Sequence, residues 1–516
     1  MSRFLVLSGR LALTRFSPAD KLLVSKSGAD FLDVRTTGSP MIRNLRSCTL
    51  WAVLLVTTIP PSGHADRQDQ ISPPLGSIVP RVAVARNKEQ SYALYLPTRY
   101  ASEQRSPIVY VFDPAARGAL AIEQFQHAAE LNGFIVAASN NSRNGPWAPQ
   151  FEAADAMVQD TQQRFSVDTR RIYFAGFSGG ARVASQLAQL CKCAAGVVLS
   201  GAGFPHNSPP SADARFPVFS AVGDADFNYS EMIPLQQPLE KAAFPHWLRV
   251  FGGPHQWAPP AVMDEALAWL RVQSMKSRRE PRDDVFLSAQ FLAAQARAAS
   301  FEQSGDLLTA SREYRQVAAT FDTIADIVAL RSKAADLEKA KAVREAIKRE
   351  KNDFEEQERL GGEVLAAFSE TESDDSSPAE SADRAILHAR DLRLRAANEK
   401  KPDRALVFRR ALGGVFVAAM ESGSDALDKK GYRQAARQFA CAAEANPESE
   451  WAFRNLAVAQ ALSGERKAVL QTLRSAKNIA KDAASFSEWL KEEPAFDRLR
   501  SSTEFQAILT SSADAP

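Results

Sequence analysis

The chain has 516 residues, too many for one compact domain, so two or more are expected. A net charge of +2, with 24% charged residues, gives no basis for nucleic acid or an anionic membrane surface as a partner. Four cysteines exclude a disulfide scaffold, and a hydrophobic fraction of 45% is that of an ordinary soluble protein.

Residues 1–40 show no clear period and read as an upstream extension, with Met41 as the expected true start. Met41-Ile42-Arg43-Asn44-Leu45-Arg46 is short and basic, Cys48 to Ile59 is mostly apolar, and Ser62-Gly63-His64-Ala65 ends small-x-small. These are the parts of a secretory signal peptide over 41–65, with cleavage after Ala65 and export to the periplasm or beyond. The apolar run is too short to cross a bilayer as a helix, so no membrane span is expected in the mature chain. Cys191-Lys192-Cys193 is too tight for the common zinc spacing, so buried thiols are expected there and no metal site.

Residues 80–275 alternate strand and helix patterns. Arg81–Ala85 and Ser91–Leu96 read as an opening hairpin, Ile108–Phe112 as a buried strand, Ala119–Leu131 as a helix and Phe134–Ala138 as a strand. Phe151–Phe165 reads as a helix. Arg171–Ala175 reads as a strand, followed by Gly176-Phe177-Ser178-Gly179-Gly180 and a helix over Ala181–Ala188. Ala195–Leu199 and Val218–Val222 follow as strands, Glu231–Phe244 as a helix, Trp247–Phe251 as a strand and Ala261–Leu270 as a helix. Such alternation predicts an α/β fold, a mostly parallel sheet with helices on both faces, whose reactive groups gather beyond the carboxyl ends of the strands.

That rule selects the chemistry. Gly-x-Ser-x-Gly between strand and helix is the context of a nucleophile elbow, a turn so sharp that glycine must flank the serine. After the next strands come Gly223-Asp224-Ala225-Asp226 and Gly252-Gly253-Pro254-His255-Gln256-Trp257, giving the chain order Ser, Asp, His. A serine hydroxyl needs a base, imidazole titrates near neutrality, and a carboxylate orients the ring. Ser178, His255 and Asp226 are therefore the expected triad, with Asp224 as the alternative acid. The oxyanion donors are expected to be the N–H of Gly179 and, from the Asp113–Gly118 loop, that of Ala115, because Pro114 has no N–H. Asn140–Pro149, with Trp147, is a candidate cleft wall, and Trp257 a second. No cofactor is required.

These motifs together resemble the α/β-hydrolase esterases, in particular the secreted polyhydroxybutyrate-depolymerase and feruloyl-esterase-like branch. The resemblance spans residues 80–275. It implies hydrolysis of a small-molecule or polymeric ester through an acyl-enzyme. The same triad also serves thioesters and amides, and a non-catalytic scaffold is the alternative of another class. Relatives often carry His-Gly where this chain has Asp113-Pro114, which implies a differently shaped oxyanion loop.

After Ser274–Pro281 the strand patterns end and Ala, Glu, Lys, Leu and Arg dominate, so the remainder is expected to be all-α, with helices over 283–368, a flexible linker over 369–382 and helices over 383–516. Phe416–Ser449 carries Gly423, Tyr432, Ala435, Phe439, Ala442 and Pro447, and Ala457, Val469, Leu473 and Ala476 recur thirty-four residues on. Ala298, Leu307, Ala310, Tyr314 and Val317 keep the same spacing upstream, with Gly305 in the turn. The pattern resembles tetratricopeptide repeats, which implies a concave surface for a protein partner.

Overall fold

The computed structural model describes residues 73–205, 214–369 and 378–510. The expected extension, the signal peptide and most of the expected linker lie outside those residues. The described chain forms two compact units: one runs to Arg349 apart from Ala225–Phe227, and the other comprises Ala225–Phe227 and the chain from Glu350.

The first unit is built on eight strands: β1 (Ile78–Ala83), β2 (Ser91–Tyr95), β3 (Ser106–Phe112), β4 (Ile135–Ser139), β5 (Val167–Phe177), β6 (Ala194–Ser200), β7 (Val218–Gly223) and β8 (His246–Phe251). They lie in one sheet in the order β1-β2-β4-β3-β5-β6-β7-β8. β1 pairs antiparallel with β2 and β2 antiparallel with β4; every other pair is parallel. This is the α/β-hydrolase arrangement. The inner strands are near-continuous apolar runs because both faces are covered: every residue of β4, β6 and β7 is buried.

Helices α1 (Gly118–Asn132), α2 (Trp147–Arg164) and α3 (Gly179–Cys191) follow β3, β4 and β5. The expected helix over Glu231–Phe244 is instead two short ones, α4 (Tyr229–Met232) and α5 (Gln236–Lys241), with Pro234 between them. A proline there has no N–H to continue the helical ladder. α6 (Pro260–Lys276) packs beside α1, and Phe125, Met263, Leu267 and Leu270 are fully buried in their shared core. Cys191 and Cys193 are joined as a disulfide rather than standing as two thiols. The free thiol among the described residues is the buried Cys441, whose pKa is pushed up to about 12 by burial and then by nearby Glu444.

Three helices beyond α6 belong to the same core: α7 (Asp284–Gln303), α8 (Leu307–Thr320) and α9 (Val328–Lys339). Leu287, Ala298, Tyr314, Val317 and Leu330 are continuous with the apolar cluster of α1 and α6. Asp283 and Asp306 cap α7 and α8, accepting from Phe286 N and Thr309 N at 3.0 and 3.1 Å. Gly305, in the turn between them, has φ +83, a conformation glycine adopts at little cost. The attachment has a use. β8 is an edge strand, and the Gln316 side chain of α8 meets the backbone of Leu248 at both its N–H and its carbonyl. An edge that would otherwise present open backbone groups is covered. The all-helical half of the sequence therefore does not coincide with the second unit.

The second unit comprises the later part of α10 (Lys341–Ser369), then α11 (Pro378–Asn398), α12 (Pro402–Asp428), α13 (Tyr432–Ala445), α14 (Glu450–Ser463), α15 (Arg466–Ile479), α16 (Ala483–Glu492) and α17 (Thr503–Thr510). Gly423 of α12 lacks a side chain because Phe439 of α13 lies there: a Cβ would come within 2.5 Å of the ring. Gly464, at φ +84, ends α14 in the left-handed conformation common at helix C-termini. No described helix is long and apolar enough to cross a membrane.

Candidate active site

The elbow forms where β5 ends and α3 begins. Ser178 has φ 53 and ψ −122, a backbone conformation that costs on the order of 1–3 kcal/mol for a side-chain-bearing residue. The neighbouring glycines make it possible. A Cβ on Gly176 would strike the Gly180 backbone, and one on Gly180 would strike the Phe112 carbonyl. Ser178 N–H is anchored to Ser200 O at 2.9 Å, and Ser178 O accepts from Ala181 N–H at 3.0 Å as α3 starts.

His255 comes from the loop after β8. Its Nε2 lies 2.9 Å from Ser178 Oγ, the distance of a base poised to take the hydroxyl proton. The imidazole packs on Phe177, with ring centroids 4.6 Å apart, and Phe177 in turn packs on Trp257. The ring is thus held by the strand that leads into Ser178.

The two candidate acids differ. Asp224 Oδ1 accepts from Gly253 N–H at 2.9 Å and Asp224 N–H donates to Phe251 O at 2.8 Å, so Asp224 staples the loop after β7 to the loop after β8. Gly253 sits at φ +144 in that staple, a value that suits glycine. Asp226 is fully buried and lies in Ala225–Phe227. Within the second unit, that segment is fixed by Gln357 Nε2 donating to Phe227 O at 2.7 Å. The Cβ positions that Gly413 and Gly414 lack lie 3.6 and 3.7 Å from Phe227 Cβ.

The loop after β3 departs from expectation. Ala115 N–H is not open to a substrate: it donates to Asp113 Oδ1 at 2.9 Å. Ala116 N–H closes a turn on Asp113 O at 3.0 Å. The Asp113 side chain is wholly buried and collects four more donors, because Arg117 N and Nε also reach Oδ1, and Arg117 Nη2 and Trp257 Nε1 reach Oδ2. Burial alone would raise its pKa, but the bonds from Arg117, Trp257 and Ala115 and the Arg117 charge outweigh it and hold the carboxyl below its usual value. The expected donor, Ala115 N–H, is thus taken up by a buried carboxylate two residues earlier that must be satisfied.

Trp257 is likewise not an open cleft wall. It is buried in the core, edge-on to Phe125, and its indole N–H is spent on Asp113. Trp147 is half-buried at the start of α2 and stacks on Phe151 at 5.5 Å. Behind the elbow, Arg182 of α3 pairs with Glu231 at 2.7 Å and donates to Phe204 O at 2.8 Å, while Glu231 accepts from Gly203 N–H at 2.8 Å. This brace fixes the loop after β6. The sequence marked Asp113-Pro114 as a change in the shape of the loop but not the bonds that Asp113 collects, and it did not point to Arg117, Arg182 or Glu231. The Asp113–Arg117 pair carries a sequence signal, an aspartate ending a buried strand with an arginine four residues on; the Arg182–Glu231 pair does not, because its partners are remote in the chain.

No protein-family model matches the chain, and no curated protein sequence matches it either. Solved structures similar to it include a hyperthermophilic esterase from the archaeon Pyrobaculum calidifontis, at 15% identity over 39% of this chain and 87% of that one, with a TM-score of 0.32. An S-formylglutathione hydrolase from Agrobacterium tumefaciens aligns at 15% identity over 35% of this chain and 88% of its own, with a TM-score of 0.30. The fluorophosphonate-binding serine hydrolase F of Staphylococcus aureus aligns at 13% identity over 35% and 92%, with a TM-score of 0.29.

Proposed function

We propose that the chain is an exported serine hydrolase that cleaves a carboxylic ester through an acyl-enzyme. The carrying observation is the 2.9 Å approach of His255 Nε2 to the hydroxyl of a serine held at φ 53 between strand and helix. Ser178 Oγ attacks the acyl carbon and gives its proton to His255 Nε2; the tetrahedral intermediate collapses, and the proton passes to the leaving alkoxide. Water repeats the sequence and frees the acid. Gly179, the first residue of α3, offers an N–H in the first turn, where helical amides have no intrahelical acceptor, and so serves the oxyanion. Asp226 is the acid of this proposal, supported by the use of Asp224 as a staple. The α12–α15 helices form tetratricopeptide-like hairpins that offer a surface to a protein partner, a reading supported by the Gly423–Phe439 fit.

The test is labelling with a fluorophosphonate, which reacts with a serine activated by its base. Residues 66–516 are expected to label and Ser178→Ala to lose all label. Folded protein that does not label would sink the enzyme reading. A screen of p-nitrophenyl esters, thioesters and peptide amides then assigns the scissile bond, with esters expected to turn over fastest.

A further inference from the structure

An acyl-transfer site needs donors for the oxygen that gains charge, and removing one donor typically costs about 10²–10³ in kcat. The loop after β3, the expected source of the second, offers none from Pro114 to Arg117. Pro114 lacks an N–H, and those of Ala115, Ala116 and Arg117 all turn inward to Asp113.

What the loop does instead is carry a different residue to the elbow. Pro114 O accepts from Asn144 N–H at 2.7 Å, and Ala115 bridges Arg143 in the antiparallel sense. Gln150 Nε2 holds the following turn through Gly145 O and Pro146 O at 2.8 and 3.1 Å. The exposed side chain of Asn144 is thereby set against Gly179 itself. A Cβ on Gly179 would overlap Asn144 Oδ1 and lie 3.3 Å from Nδ2. Glycine at 179 leaves room for this carboxamide, which a side chain there would turn aside.

We infer that the Asn144 side chain is the second oxyanion donor, standing in for the loop amide that Asp113 has taken. This rests on the serine-hydrolase reading above. As the Ser178 Oγ–carbon bond forms, the carbonyl π pair moves onto oxygen, and that oxygen accepts from Gly179 N–H and Asn144 Nδ2–H. Collapse returns the pair to the carbonyl and releases both bonds. A carboxamide suits the task because it presents N–H without adding charge, and an exposed one turns Nδ2 toward the anion without breaking a buried contact.

The experiment compares wild type, Asn144→Ala, Asn144→Asp and Gly179→Ala in residues 66–516, using p-nitrophenyl acetate and butyrate, with thermal melts as the check on folding. Asn144→Ala is expected to lower kcat about 10²-fold with KM little changed. Asn144→Asp, nearly isosteric but anionic beside the developing charge, is expected to fall further. Gly179→Ala, which displaces the amide, is expected to fall at least as far as Asn144→Ala. Wild-type turnover with kcat unchanged in Asn144→Ala, or a loss confined to KM, overturns the inference and leaves the hydrolase reading intact. Wild type that neither labels with fluorophosphonate nor turns over ester overturns both.

Discussion

Burial pushes the carboxyl of Asp113 toward protonation, and five donor atoms push it back. The outcome is a carboxylate held below its usual pKa with no exposed side-chain surface. Replacing it with asparagine puts an NH2 group against at least one of those donors. The Asp113→Asn variant is expected to lose about 1–3 kcal/mol of stability at neutral pH, measured by urea unfolding. The sign of the pH dependence follows from the depressed pKa. The carboxylate contribution is fully present above the unfolded value of about 3.9 and is lost as pH falls through the lower folded value. The gap between wild type and variant should therefore stay constant from neutrality to about pH 5 and close below about pH 4. A gap that instead widens with acid would show that the carboxylate is not what stabilises this loop. Because Trp257 is bonded to Asp113, the same variant should also lower kcat, on the order of ten- to a hundredfold, through a displaced His255.

At the level of elements, the sheet was legible in the sequence because buried parallel strands are written as unbroken apolar runs such as Ile108–Phe112 and Phe134–Ala138. The elbow was legible because Gly-x-Ser-x-Gly between a strand and a helix is a local signature, although only Gly176 answers to a collision inside it and Gly180 answers to Phe112 of β3. What was not legible depends on partners far apart in sequence. The break in Glu231–Phe244 did have a local signal, the two prolines Pro234 and Pro238, but nothing local in Ala115 says that its N–H will turn to a buried carboxylate. The attachment of α7–α9 escaped for the same reason, since their apolar faces read equally well as the start of a separate helical domain. Leu287 shows the difference: it is 1% exposed within the core of the first unit. Leu287→Ala should cost about 2–5 kcal/mol in urea unfolding. A loss below 1 kcal/mol would mean that α7 is not part of that core.

At the level of the whole molecule, a chain ending at residue 275 should be markedly less stable than one ending at 349, because it exposes the face that α7–α9 cover and leaves Leu248 without Gln316. Thermal unfolding of the two truncations decides this; equal midpoints would contradict it. The proposed export makes a separate prediction: protein recovered from outside the cytoplasm should begin after Ala65, and recovery with residues 41–65 intact would argue against cleavage there. The bond between Trp257 and Asp113 also bears on how such a chain adapts to new substrates. It welds the loop that carries His255 to the loop after β3, so the two are inherited as one piece and tolerate little trial. Novelty must come from the rim. Libraries varied over Asn140–Pro149 with Asn144 kept should yield catalysts of shifted substrate preference that still label at Ser178, whereas libraries varied at 113, 117 and 257 should yield mostly inert protein.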